Sequence, residues 1–274
     1  MRKFLALFLM VFCFGFYANA SELDVALQKT YVACVGIDDE LTDMKKMAGI
    51  NTAITGVGTV AGGGALVAGI KKQNMLEKLR MVENSKEEAR TEVVFSNTQD
   101  FTPALRAKKL GNWRTGLLAV NTATNVAGAI IASKNRVDVD LQEKISECIN
   151  SVDVLQHAIM QAKLSGIDVS EANGIYDACV DYKYIDLSPI EKRGKGAEIS
   201  SIIGGGAGIV GTITSAAANK ENDSEKSKKL DTTSNVLAGG ATVLSGAAVV
   251  FNATQISAIK KVVEVAQKCE GALK

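Results

Sequence analysis

Proline is nearly missing from this chain: Pro103 and Pro189 are the two in 274 residues. With so few breakers, long uninterrupted helices are expected. Aromatic residues make up 5% of the chain, which leaves little with which to stack on sugars or bases. Histidine occurs once, as His157, so no second imidazole exists to complete a metal site or a catalytic pair. His157 is expected on the solvated face of a helix. The chain carries no H-E-x-x-H and no G-x-S-x-G. Acidic residues such as Asp38-Asp39-Glu40 and Glu87-Glu88 are scattered on polar faces, and none forms an evident acid–base pair. A formal net charge of +1 gives no field to attract nucleic acid. Enzymatic activity, a cofactor, a metal and a nucleic-acid partner are therefore not expected.

Charge is also missing locally, and there the absence is informative. Four Gly/Ala-rich segments, 47–70, 115–133, 199–219 and 232–259, are almost free of charge up to their edges. Lys45-Lys46 and Lys71-Lys72 bracket the first. At about 19–28 residues each segment is long enough to cross a hydrocarbon core of about 30 Å. Gly58 and Gly62, and likewise Gly204 and Gly208, stand four apart; Gly211 follows Ala207 by four, and Gly128 and Gly246 occupy matching places in the second and fourth segments. Small residues at this spacing let helix backbones approach closely where lipid supplies no drive for association. Trp113-Arg114 stands where an interfacial anchor is expected. A soluble reading competes, because Asn51, Thr52, Thr55, Asn121, Thr122 and Asn125 make the segments only weakly hydrophobic. A nucleotide loop is a third reading, since Gly206-Ala-Gly208-Ile-Val-Gly211 fits G-x-G-x-x-G. It lacks the preceding strand and the later acidic residue that such a site needs.

The start of the chain pairs Arg2-Lys3 with an apolar run, Phe4–Phe16, and an A-x-A site at Ala18–Ala20. That pattern predicts a Sec signal peptide over residues 1–20. Cys13 lacks the small preceding residue of a lipoprotein signal. The remaining cysteines, Cys34, Cys148, Cys179 and Cys269, then lie in an exported chain and read as disulfides. Their widely spaced positions argue against a four-cysteine zinc site.

Tyr31-Val-Ala-Cys34-Val35 recurs as Tyr176-Asp-Ala-Cys179-Val180, each followed by a basic pair, two Gly-rich segments and a helix bearing a second cysteine. We read a duplication, with unit 21–150 and unit 151–274. The copies differ most in the insertion 71–114. Helix periodicity places Leu23, Leu27, Tyr31 and Cys34 on one apolar face, and Leu141, Ile145, Cys148, Val152, Leu155 and Ile159 on another. Ile256, Ile259, Val263, Ala266, Cys269 and Leu273 form a third. Pairing within each copy, Cys34–Cys148 and Cys179–Cys269, follows. The charged stretch Lys220–Asp231 reads as a solvated turn.

The sequence thus predicts a mainly α fold of two duplicated units, each a Gly/Ala-rich helical hairpin flanked by amphipathic Cys-bearing helices. It predicts an exported cell-envelope protein, periplasmic or membrane-associated, whose hairpins meet membrane lipid or one another as a homo-oligomer. The role would be structural, scaffolding or pore-like. The alternative is a soluble, disulfide-stapled helical module that binds a protein partner through 71–114.

Overall fold

The computed structural model describes residues 22–88, 102–221 and 223–274. The expected signal peptide falls outside the described residues. The fold is mainly α, with no strand among the described residues. A helix over 22–34 (α1) is followed by α2, Ile37–Glu88, and α3, Thr102–Lys134. Next come α4, Val139–Leu164, α5, Ser170–Cys179, and a 3₁₀ turn, Val180–Tyr184. The chain ends with α6, Ser188–Lys220, and α7, Ser224–Leu273. Both prolines stand in the first turn of their helices, α3 and α6, where the missing N–H has no partner to lose. Pro103 therefore opens a helix that already runs through Trp113, so the C-terminal part of the 71–114 insertion is helical.

Several helices start on an aspartate. Asp138 accepts a hydrogen bond from the Leu141 amide at 2.8 Å, and Asp223 accepts from the Glu225 amide at 2.9 Å. Asp168 accepts from the Ser170 amide and hydroxyl, and these bonds hold its carboxyl below the usual range. Asp186 does the same ahead of α6 through Ser188. The helices α1 and α4 each end on a glycine with positive φ, Gly36 at 88° and Gly166 at 73°. At Gly166 the amide of Ile167 returns to the Ala162 carbonyl at 3.0 Å, closing the last turn.

The chain divides into two compact units that do not follow its linear order. Unit 1 combines Met1–Met47, Arg136–Lys192 and Gln255–Lys274; unit 2 combines Ala48–Asn135 and Arg193–Thr254. Each therefore draws on both halves of the sequence.

Unit 1 has an ordinary apolar interior. Leu23 and Ala26 of α1 pack with Leu155, Ile159 and Ala162 of α4 and with Val169 and Ala172 around the start of α5. The six expected apolar positions of α4 are all buried. On α1 the buried face is instead Leu23, Ala26, Thr30 and Cys34, and Tyr31 is turned outward. Thr30 can face inward because its hydroxyl bonds the Ala26 carbonyl one turn back at 2.9 Å. In α7 the residues Ile259, Val263, Ala266 and Cys269 are buried as expected, while Ile256 and Leu273 are half-buried. The Tyr182 ring is fully enclosed, and burial, with Glu270 and Asp38 nearby, pushes its phenol well above the ordinary value.

The disulfides are Cys34–Cys148 and Cys179–Cys269, closing separations of 114 and 90 residues. Loops of this length correspond to about 4 kcal/mol each by chain entropy. The fold also brings the two bridges side by side. The sulfurs of Cys34, Cys148 and Cys269 all lie within 4.8 Å of one another, and all three are buried. Spacing along the sequence gave no hint of this cluster. A consequence follows from thiol–disulfide exchange. Cys34→Ala should free a Cys148 thiol beside Cys269, and peptide mapping after mild alkaline incubation should reveal a Cys148–Cys269 bridge. Removing Cys34 and Cys148 together should leave Cys179–Cys269 as the sole bridge. A lone Cys34→Ala variant that keeps only Cys179–Cys269 would show that the bridges do not communicate.

Candidate functional site

Helix formation in unit 2 is helped by frequent Ala and by the confinement of its one proline, Pro103, to the first turn of α3, but the glycines decide how the helices pack. The parts of α2, α3, α6 and α7 in this unit form a ring in which every neighbouring pair is antiparallel. Between α2 and α3, a Cβ placed on Gly58 would meet Thr124 Oγ1 at 2.3 Å, and one on Gly128 would meet Thr55 Cγ2 at 2.7 Å. Between α2 and α7, one on Gly62 would meet Thr242 Oγ1 at 2.4 Å. Between α3 and α6, one on Gly208 would meet Thr122 Oγ1 at 2.5 Å. Gly204 faces Asn125 and Leu244 at 3.2–3.3 Å, and Gly211 faces Leu237 at 3.3 Å. Gly246 is looser, with Thr59 at 3.9 Å. All seven singled-out glycines thus turn toward other helices of the same chain.

The missing Cβ atoms let polar side chains reach the middle. Asn51 Nδ2 of α2 donates to Asn252 Oδ1 of α7 at 3.1 Å. Asn125 Nδ2 of α3 donates to Ser245 Oγ of α7 at 2.8 Å, and Ser245 Oγ is 3.0 Å from Asn121 Oδ1. These residues, with Thr55, Ser201, Ser215 and Ser234, are buried. Along the first pair of helices the outward positions are Ile50, Val57, Val60, Val67, Val120 and Ile130. Along the second pair they include Ile199, Ile202, Ile213, Val236, Val243 and Val250, of which Val236 and Val243 are 70% and 71% exposed. The interior of the unit mixes these polar residues with buried Ala48, Ala65, Leu118, Ala238 and Ala241, while the outward positions are largely β-branched and apolar.

Where the connectors leave unit 2, the interior is charged. Arg114 of α3 is fully buried and donates from Nη2 to Asp231 Oδ1 at 2.7 Å, from Nη1 to Asn235 Oδ1 at 3.1 Å and from Nε to Ser215 Oγ at 2.9 Å. Lys72 Nζ of α2 lies 2.9 Å from Asp231 Oδ2 and donates to Asn219 Oδ1 at 2.8 Å. Asn219 passes the network to Thr115 Oγ1 at 3.3 Å. Both cations belong to the α2–α3 pair and the carboxylate to the α6–α7 pair.

This cluster departs from the sequence reading. Asp231 closes the stretch taken as a solvated turn, yet its side chain is 1% exposed. In fact α7 starts at Ser224, so most of that stretch is helix. Arg114 points inward, while Trp113 beside it is 62% exposed as an interfacial anchor would be. The available signal was the placement of Lys72, Arg114 and Asp231 at the margins of three apolar segments, at the same end of a pair of hairpins. The G-x-G-x-x-G of residues 206–211 lies in mid-α6, where its amides belong to the helix and offer no phosphate-binding turn. His157 is exposed on α4, its Nδ1 2.9 Å from the Asp153 carbonyl of its own helix.

The glycine contacts make a direct prediction. Gly62→Leu or Gly208→Leu places a side chain where Asn and Thr already stand, and should destabilise unit 2 by at least about 1–3 kcal/mol. Gly63→Ala, with nothing within 4 Å of its added carbon, should be neutral or slightly stabilising. Thermal unfolding followed by circular dichroism separates the two; equal midpoints for Gly62→Leu and Gly63→Ala would sink the packing account. Compared with known proteins, the chain matches no family model, no curated protein and no solved structure, so its function is argued from these residues alone.

Proposed function

We propose that this chain is an exported cell-envelope protein anchored in a membrane by unit 2, with a structural or scaffolding role and no catalytic one. The carrying observation is the Val- and Ile-lined outer surface of unit 2 around an interior that holds buried Asn, Ser, Thr and an ion cluster among its alanines. In water such a surface would leave contiguous apolar area exposed. In lipid the same surface costs nothing, and the polar interior supplies interhelical hydrogen bonds of about 0.6–2 kcal/mol each. Four helical stretches, Glu22–Val82, Ala104–Leu164, Ser188–Lys220 and Ser224–Leu273, are long and apolar enough to cross a membrane.

The close helix contacts favour an anchoring bundle over an open pore, and they engage the glycines within one chain. Export by a signal peptide over 1–20 accords with the two disulfides, which persist in oxidising compartments. Duplication accords with reciprocal packing: Gly62 of the first hairpin meets Thr242 of the second, and Gly208 of the second meets Thr122 of the first.

The proposal is tested by alkaline carbonate extraction of the exported protein, compared with variants Val60→Lys and Val243→Lys. A charge at mid-bilayer costs about 2.5–3.5 kcal/mol on insertion scales. Retention of the parent chain in the pellet, with release or degradation of the lysine variants, is expected. Complete release of the parent chain would instead favour a soluble helical module.

A further inference from the structure

The ion cluster of unit 2 is not neutral. Lys72 and Arg114 bring two positive charges and Asp231 one negative charge, leaving one buried positive charge in excess. Arginine stays protonated, and the excess positive charge is present when Lys72, 2.9 Å from Asp231 Oδ2, is protonated as well. A buried net charge is costly unless something of opposite sign joins it.

Two polar atoms of the cluster lack a hydrogen-bond partner: Asp231 Oδ2, which is matched by Lys72 Nζ at 2.9 Å, and Asn235 Nδ2, which is matched by nothing. Asn235 is 9% exposed, and its Oδ1 is taken by Arg114 Nη1 at 3.1 Å. That bond fixes the amide so that Nδ2 is the free end, and Nδ2 is buried with no partner. The residues turned to this point are Lys72 from α2, Arg114 from α3, Ser215 and Asn219 from α6, and Asp231 and Asn235 from α7. Both the surplus charge and the unpartnered donor ask for an acceptor that carries negative charge.

We infer that the cluster of Lys72, Arg114 and Asn235 binds a small inorganic anion of the halide class, which balances the buried charge and accepts from Asn235 Nδ2. The site lies wholly inside unit 2, and it stands whether that unit is surrounded by lipid or by water. Failure of the anion test therefore leaves the membrane reading untouched, and the reverse holds as well.

The test is thermal unfolding of the purified full chain in chloride, bromide or gluconate at constant ionic strength, in detergent where extraction requires it. Chloride and bromide should raise the midpoint over gluconate by on the order of 5 °C, with saturation at high concentration, as a ligand of the folded state does. Asp231→Asn gives the diagnostic sign. It adds to the buried positive charge, so it should unfold early in gluconate and be rescued by chloride, with half-saturation at about tenfold lower anion. Arg114→Gln should abolish the halide dependence. Asn235→Leu should weaken it if the first variant fails to fold. Curves that coincide in chloride and gluconate for both the parent chain and Asp231→Asn would overturn the inference, as would an effect that rises without saturating.

Discussion

The arrangement of unit 2 hangs on the contact between Arg114 and Asp231. It joins the α2–α3 hairpin to the α6–α7 hairpin at the end where both connectors leave, and Lys72 closes it from a third helix. Breaking a buried pair of this kind costs about 3–5 kcal/mol, chiefly because the remaining charge is stranded. The cluster therefore does more than add attraction. A register slip of one residue on any of the three helices would rotate a charge by about 100° toward the outer face. The charges thus select one alignment among many that Gly and Ala faces alone would tolerate.

Glycine and the polar residues are two halves of one device. A Gly/Ala face carries little information, because most registers of two smooth helices pack about equally well. Asn51 against Asn252, and Asn121 and Asn125 against Ser245, give that face defined partners at successive levels. They reach one another only because Gly58, Gly62 and Gly128 leave room on the facing helix. An alanine at Gly62 would bring its carbon within 2.7 Å of Asn121 Nδ2, so the glycine protects a hydrogen-bonded layer as well as a backbone distance.

Much of this was legible in the sequence. Proline scarcity foretold helices of 52 and 50 residues, and the apolar stripe of α4 emerged residue for residue. Cysteines on buried helix faces gave the two pairings found. What escaped were features that depend on four helices meeting. Periodicity within one helix cannot say that Lys72, Arg114 and Asp231 converge, since each looks like an ordinary flanking charge. Nor can it foresee that Tyr31 yields its inward place to Thr30, which satisfies its hydroxyl through its own helix. The expected linear units also differ in kind from the spatial ones, because α2 and α7 each run through both compact units without a break.

The distribution of charge between the hairpins bears on how such a chain would enter a membrane. The first hairpin carries Lys72 and Arg114 and no internal carboxylate partner for them, while the second carries Asp231. Alone, the first hairpin would face lipid with two unpaired charges near one margin and the second with one, and Asn51 and Asn252 would each lose the other. Together they bury both. If the hairpins insert as proposed, their insertion is coupled: the second supplies the counter-charge and the hydrogen-bond partners that make the first tolerable. A chain stopped before Asp231 lacks that partner. Within this one chain, the side chains of each hairpin fill the interior of the other.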